Sequence, residues 1–150
     1  MITDVFSGIY ETIFGIRDDK FSLIFSTLYN EWGYIKLGLT FLFIPLLSWF
    51  LFYYVWRYPY GKLWHWALWF LISGIVVFGC TWSLANTIIL ASNNQQLIDA
   101  LNDPQSGYKQ YASDLPLIYA MINTSLALVL GFICSLIFKQ LSKIQMHLPF

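Results

Sequence analysis

The 150-residue chain is 58% hydrophobic and 20% aromatic, and only 11% of its residues are charged, eight basic balancing eight acidic. Soluble domains carry about 25% charged residues, so this composition excludes a disordered chain and a nucleic-acid binder resting on a basic patch, and two cysteines are too few for a disulfide-stapled module. Positions 37–56, 63–98 and 115–138 hold no Asp, Glu, Lys or Arg at all, and runs of that length are buried on every side only by lipid or by a core larger than this chain can build.

The first 36 residues read as two amphipathic interfacial helices. On a helical wheel Ile2, Val5, Phe6, Ile9, Tyr10, Ile13 and Ile16 fall within an arc of about 140°, opposite Thr3, Asp4, Ser7, Glu11 and Thr12. Residues 2–16 contain no Lys or Arg, so attraction to anionic lipid is not what this helix is for. Its apolar face is expected to meet the membrane interface, a partner or the bundle itself. Arg17-Asp18-Asp19-Lys20 interrupts the pattern, and Asp18 or Asp19 can cap a second helix with Phe21, Ile24, Phe25, Leu28, Tyr29, Trp32 and Ile35 on its apolar face. Met1-Ile2-Thr3-Asp4 lacks the positive start of a signal peptide, so the segment is read as part of the mature chain.

Three transmembrane helices are expected at about 37–56, 63–91 and 115–138, making the fold that of an all-α integral membrane protein. Twenty residues at 1.5 Å rise match a bilayer core of about 30 Å. Pro45 should bend the first helix, and Arg57-Tyr58-Pro59-Tyr60-Gly61-Lys62 should turn the chain straight back. Residues 92–114 read as a polar loop in which Leu97, Ile98 and Leu101 hint at a short helix ended by Asp103-Pro104, and Asp114 with Pro116 reads as the cap and first turn of the third crossing. Cations flank the first loop (Arg57, Lys62) and the C-terminal tail (Lys139, Lys143), which favours a cytoplasmic C-terminus and an N-terminus outside.

Small residues recur every fourth position on two of these helices, Gly79, Ser83, Thr87 and Ala91 on the second and Ala120, Thr124, Ala127, Gly131 and Ser135 on the third. Such rows let helix backbones approach closely, so both should be buried against helices, either of this chain or of an oligomer. Asn86 and Asn123 should point inward, flanked by Ser83, Thr87, Thr124 and Ser125, because an amide facing lipid lacks partners. Trp56, Tyr58, Trp64 and Trp66, with Tyr53, Tyr54, Tyr60 and Trp69, should anchor one membrane face. Cys80 and Cys134 lie at different depths and should not pair; they read as small buried residues. The crossings hold no carboxylates, and neither His65 nor His147 sits in a metal or catalytic motif. No catalytic residue, cofactor or metal is therefore assigned. The expected function is a non-enzymatic membrane subunit that anchors or scaffolds a larger envelope complex, with lipid and further membrane subunits or copies of itself as partners. A homo-oligomeric pore lined by Asn86 and Asn123 is the alternative, and an immunity-type or regulatory membrane protein a third.

Overall fold

The computed structural model describes residues 1–56 and 63–141, and among these there is no strand. Six α-helices follow in order: α1 (Ile2–Ser7), which continues through a wide π-helical turn over Gly8–Ile13; α2 (Ser22–Asn30); α3 (Gly33–Phe50), extended by π-helical Leu51–Val55; α4 (Leu63–Ile89); α5 (Gln95–Asn102); and α6 (Tyr108–Leu141). Three of these segments, 33–55, 63–89 and 108–141, are long and apolar enough to cross a membrane. Interior polar contacts fix their directions. Early α3, late α4 and the first half of α6 meet at Thr40, Thr81 and Asn123, whereas late α3, early α4 and late α6 meet at Tyr53, Trp66 and Ser135. The three helices therefore run alternately up, down and up, with α4 and α6 sharing the largest interface.

Helices α1, α2 and α5 gather at the end where α3 begins. Asp18 caps this region by accepting the Lys20 amide at 3.0 Å, and a short 3-10 turn over Asp19–Phe21 leads into α2. Phe21, Ile24, Phe25 and Leu28 are buried as expected, but α2 stops at Asn30 because Trp32 takes a left-handed backbone (φ 59°) that turns the chain into α3. Ile35 thus belongs to α3, while Tyr29 and Trp32 stay exposed. Asn94 caps α5 through the Gln96 amide (3.1 Å), and Leu97 is buried beneath it.

The short helix hinted at by Leu97, Ile98 and Leu101 is α5, which stops at Asp103 as expected. One expectation fails, because α6 already begins at Tyr108 and takes the last residues of the polar loop. Asp114 and Pro116 do not start the third long helix; Pro116 is buried inside it. The helix forms earlier because residues 108–112 have something to pack on: Phe21 stacks on Tyr111 with centroids 4.2 Å apart, Tyr108 meets the same ring edge-on, and Ala112 is fully buried. Tertiary packing outweighs the one missing amide. Pro45 likewise lies within α3, which continues past it.

Candidate functional site

The most polar part of the bundle interior is built around Asn123, which has no solvent exposure. Its amide nitrogen donates to the Leu37 carbonyl (2.8 Å) and reaches the Thr40 and Thr81 hydroxyls (3.1 and 3.2 Å). Because a carbonyl can only accept, the nitrogen must face Leu37, and the amide oxygen is left to accept the Tyr10 hydroxyl at 2.6 Å. Thr40 donates to the Leu37 carbonyl (2.7 Å), so Thr81 is the donor in the 3.0 Å Thr40–Thr81 contact. Four separate pieces of chain, α1, α3, α4 and α6, are thus joined by one side chain.

Tyr10 reaches that position because the N-terminal helix lies against the bundle. Phe6 sits directly over Gly38, where any Cβ would collide with its ring, and meets Phe41 edge-on at 6.2 Å. The Tyr10 ring stacks on Tyr34 (6.0 Å) and meets Tyr119 edge-on (5.2 Å). Nearer the surface, Glu11 accepts the Tyr34 hydroxyl and pairs with Arg17 at 2.9 Å. Glu11 and then Asp19 (3.1 Å) move the Arg17 guanidinium further above its ordinary range. At the other end of α1, Asp4 accepts the Tyr29 hydroxyl (2.6 Å), which raises the phenol's pKa through that hydrogen bond. Ser7, Glu11, Arg17, Ser22, Phe25, Ser26, Tyr29 and Asn30 line an open groove of about 380 Å³ between α1 and α2.

At the opposite end of the bundle, Trp49, Phe52 and Tyr53 form a buried aromatic layer with Trp66, Trp69 and Phe70 packed onto it. Ser135 receives the Trp66 indole N–H (2.7 Å) and contacts the Tyr53 hydroxyl (2.9 Å). Trp49 lies against Gly131, where an added Cβ would stand 2.7 Å from the indole nitrogen.

The two small-residue rows part company. On α6, Ala120, Ala127, Gly131 and Ser135 are buried and Thr124 is half-buried, so this row is consumed by packing within the chain. On α4, Gly79, Ser83 and Thr87 are all exposed, as is Ala91 in the bend just past its end, and Gly79 has open space around it. The buried face of α4 is instead Ser73, Gly74, Val77, Thr81, Ala85 and Ile88. The expectation that the α4 row is covered fails within the single chain.

Asn86 differs from Asn123 as well: it is half-exposed and its amide bonds back to the Trp82 carbonyl of its own helix (2.8 Å). Thr87, Thr124 and Ser125 return to carbonyls one turn back in the same way, so the flanking hydroxyls expected around Asn123 are replaced by Thr40, Thr81 and Tyr10. Trp56 and Trp64 are exposed, as membrane anchors would be, whereas Trp66 belongs to the interior layer; Tyr58 lies outside the described residues. Both cysteines are free, but Cys80 is exposed where burial was expected, and only Cys134 is buried. Among the described residues no three His, Cys, Asp or Glu side chains stand close enough to hold a metal ion.

Thr40 and Thr81 were legible as hydroxyls inside apolar runs, and Tyr10 as the polar edge of an apolar arc. Nothing in their spacing marked them as partners of Asn123. No family model matches the chain, and neither does any curated protein or solved structure.

Proposed function

We propose that the chain is a non-enzymatic integral membrane subunit, crossing the bilayer three times and holding a larger complex together through helix packing. The observation that carries this reading is the outward row on α4. Gly79, Ser83 and Thr87 present a shallow track to the surroundings, while the comparable row on α6 is already filled by this chain's own helices. Lipid tails gain nothing from such a track, whereas a helix backbone that approaches it gains dispersion contacts along its length. Cations at Arg57, Lys62, Lys139 and Lys143 favour a cytoplasmic C-terminus, which would turn the end of the bundle that carries α1, α2 and α5 toward the outer leaflet.

The pore reading receives less support, since Asn123 points at Tyr10, Thr40 and Thr81 and touches no solvent. Crosslinking in the membrane before extraction, followed by a mass measurement, tests the subunit reading. A heavier species should be present, and Gly79→Leu should abolish it while leaving the monomer folded. A monomer that stays alone, or an ion flux in liposomes that changes with Asn123→Leu, refutes it.

A further inference from the structure

We propose that α1 and its π-helical continuation are immersed in the acyl chains of a single leaflet, so that this chain displaces hydrocarbon in one half of the bilayer only. The inference rests on the bilayer reading above and adds the depth and the lipid chemistry met by residues 2–13.

Depth follows from where the helix docks. Phe6 lies over Gly38 and against Phe41, both beyond Lys36, the last charge before the apolar run of α3. The Tyr10 hydroxyl meets Asn123, nine residues past Asp114, the last charge before the apolar run of α6. Nine residues of helix advance about 14 Å. A segment resting on the headgroups would dock level with Lys36 and Asp114. This one reaches from Tyr34, level with Lys36, to Phe41 and Asn123 deeper along the bundle.

Its side chains are sorted accordingly. Ile2, Val5 and Ile13 are 62%, 59% and 73% exposed, share one edge of the helix, and touch neither the bundle nor α2 strongly enough to be covered. Glu11 is turned to Tyr34 and Arg17, Ser7 to the Asp4 carbonyl and Tyr10 to Asn123, whereas Asp4, bonded to Tyr29 and to the Met1 amino group, and Thr12 remain exposed and form the side of the segment left to the headgroups. With no Lys or Arg in residues 2–16, nothing on this edge recognises an anionic headgroup. Acyl chains are the occupant that fits. At about 18 Å for twelve residues the helix is too short to cross. The Tyr10–Asn123 bond then fixes its depth, where a free amphipathic helix would partition in and out.

The test uses single cysteines at Val5, Val76 and Asn93 in a Cys80→Ser, Cys134→Ala background. Each carries a nitrobenzoxadiazole fluorophore, and the protein is reconstituted in phosphatidylcholine vesicles containing acyl-brominated lipid. Bromine should quench the Val5 label about threefold more than the Asn93 label, close to the Val76 label on the exposed side of α4, and iodide in the buffer should do the reverse. A Val5 label reached by iodide overturns the inference, and so does one shielded from both quenchers, which means that a second copy or another protein covers the edge. If even the Val76 label escapes bromine, the three-crossing reading itself falls, and this inference with it. Should the cysteine-free background fail to fold, lipid carrying a mid-chain diazirine asks the same of the unaltered chain: residues 2–13 should be labelled along with α4, and labelling of α4 without 2–13 overturns the inference.

Discussion

Replacing Tyr10 by Phe removes one hydroxyl and leaves the packing volume almost unchanged, so its effect isolates the bond to Asn123. The amide oxygen cannot turn to find another donor, because the nitrogen is held toward the Leu37 carbonyl at 2.8 Å. The variant therefore leaves a fully buried acceptor unpaired. Such a loss costs about 1–3 kcal/mol. Polar pairs between membrane helices average only about 0.6 kcal/mol because alternatives usually exist, but here the alternatives are closed. We expect about 1–2 kcal/mol against the docking of α1, equivalent to a factor of about 5–30 in its opening equilibrium. Amide hydrogen exchange of residues 2–13 in reconstituted protein should speed up by that factor, while exchange in the middle of α4 stays unchanged. Asn123→Leu alone strands the Tyr10 hydroxyl, whereas the double variant strands neither partner at that contact. The double-mutant cycle should accordingly show a coupling of about 1–2 kcal/mol. Additivity to within about 0.3 kcal/mol would refute the lock.

Other substitutions test neighbouring parts of the reasoning. The Tyr119 hydroxyl is buried without a hydrogen-bond partner, so Tyr119→Phe should leave thermal stability in detergent unchanged or raise it, and a loss above about 1 kcal/mol would show that the hydroxyl is satisfied. Gly131→Ala pushes a Cβ to 2.7 Å from the Trp49 indole nitrogen; overpacking of this kind costs about 1–3 kcal/mol and should lower Tm and shift tryptophan fluorescence. Gly79→Ala meets open space, so Tm should hold or rise, by up to about 1 kcal/mol of helix propensity, with tryptophan fluorescence unshifted. The Tyr29 phenol is raised by the bond it donates to Asp4, which makes its contribution complete below its ordinary pKa and lost as pH rises through the raised value. Protection factors at residues 2–7, with the intrinsic base catalysis of exchange divided out, should hold through pH 9 and fall only above the normal phenol range; a fall near neutrality would refute the clip.

The three long helices were readable because charge is excluded from hydrocarbon at a cost that no local preference offsets. Start signals were less dependable. Asp114 and Pro116 form a good first-turn pair by local chemistry, yet Phe21, far away in sequence, supplies an aromatic surface that extends α6 back to Tyr108. The rows of small residues failed for a different reason. Helix α4 carries small side chains on two faces, Ser73, Gly74, Thr81 and Ala85 on one and Gly79, Ser83 and Thr87 on the other. A regular spacing of four singles out the second, while Val77 interrupts the first, yet it is the first that α6 and α3 cover. Tyr10 and Asn123 are 113 residues apart, and neither residue's local pattern contains the other.

The bundle has two polar levels, and their positions bear on what the N-terminal helix does for it. Asn123 and Ser135 lie twelve residues apart on α6, so the Thr40–Thr81–Asn123 level and the Tyr53–Trp66–Ser135 level are separated by about 18 Å along the helix. Among the described residues, the Ser135 level joins side chains of the three long helices. The Asn123 level adds a fourth segment: three helices supply its donors and acceptors, and the last acceptor is satisfied only by Tyr10 from outside the trio. Deleting residues 1–20 would therefore perturb the bundle itself, because it uncovers Gly38 and leaves the Asn123 oxygen bare. Val5→Ser/Ile13→Ser is the cleaner perturbation, since both residues point away from every contact in the chain's interior. If α1 serves only the bundle, this variant should fold and assemble as the parent does. If its exposed edge meets acyl chains, residues 2–13 should exchange faster than in the parent in bilayers, because each isoleucine or valine edge loses about 1.5–3 kcal/mol of burial in hydrocarbon.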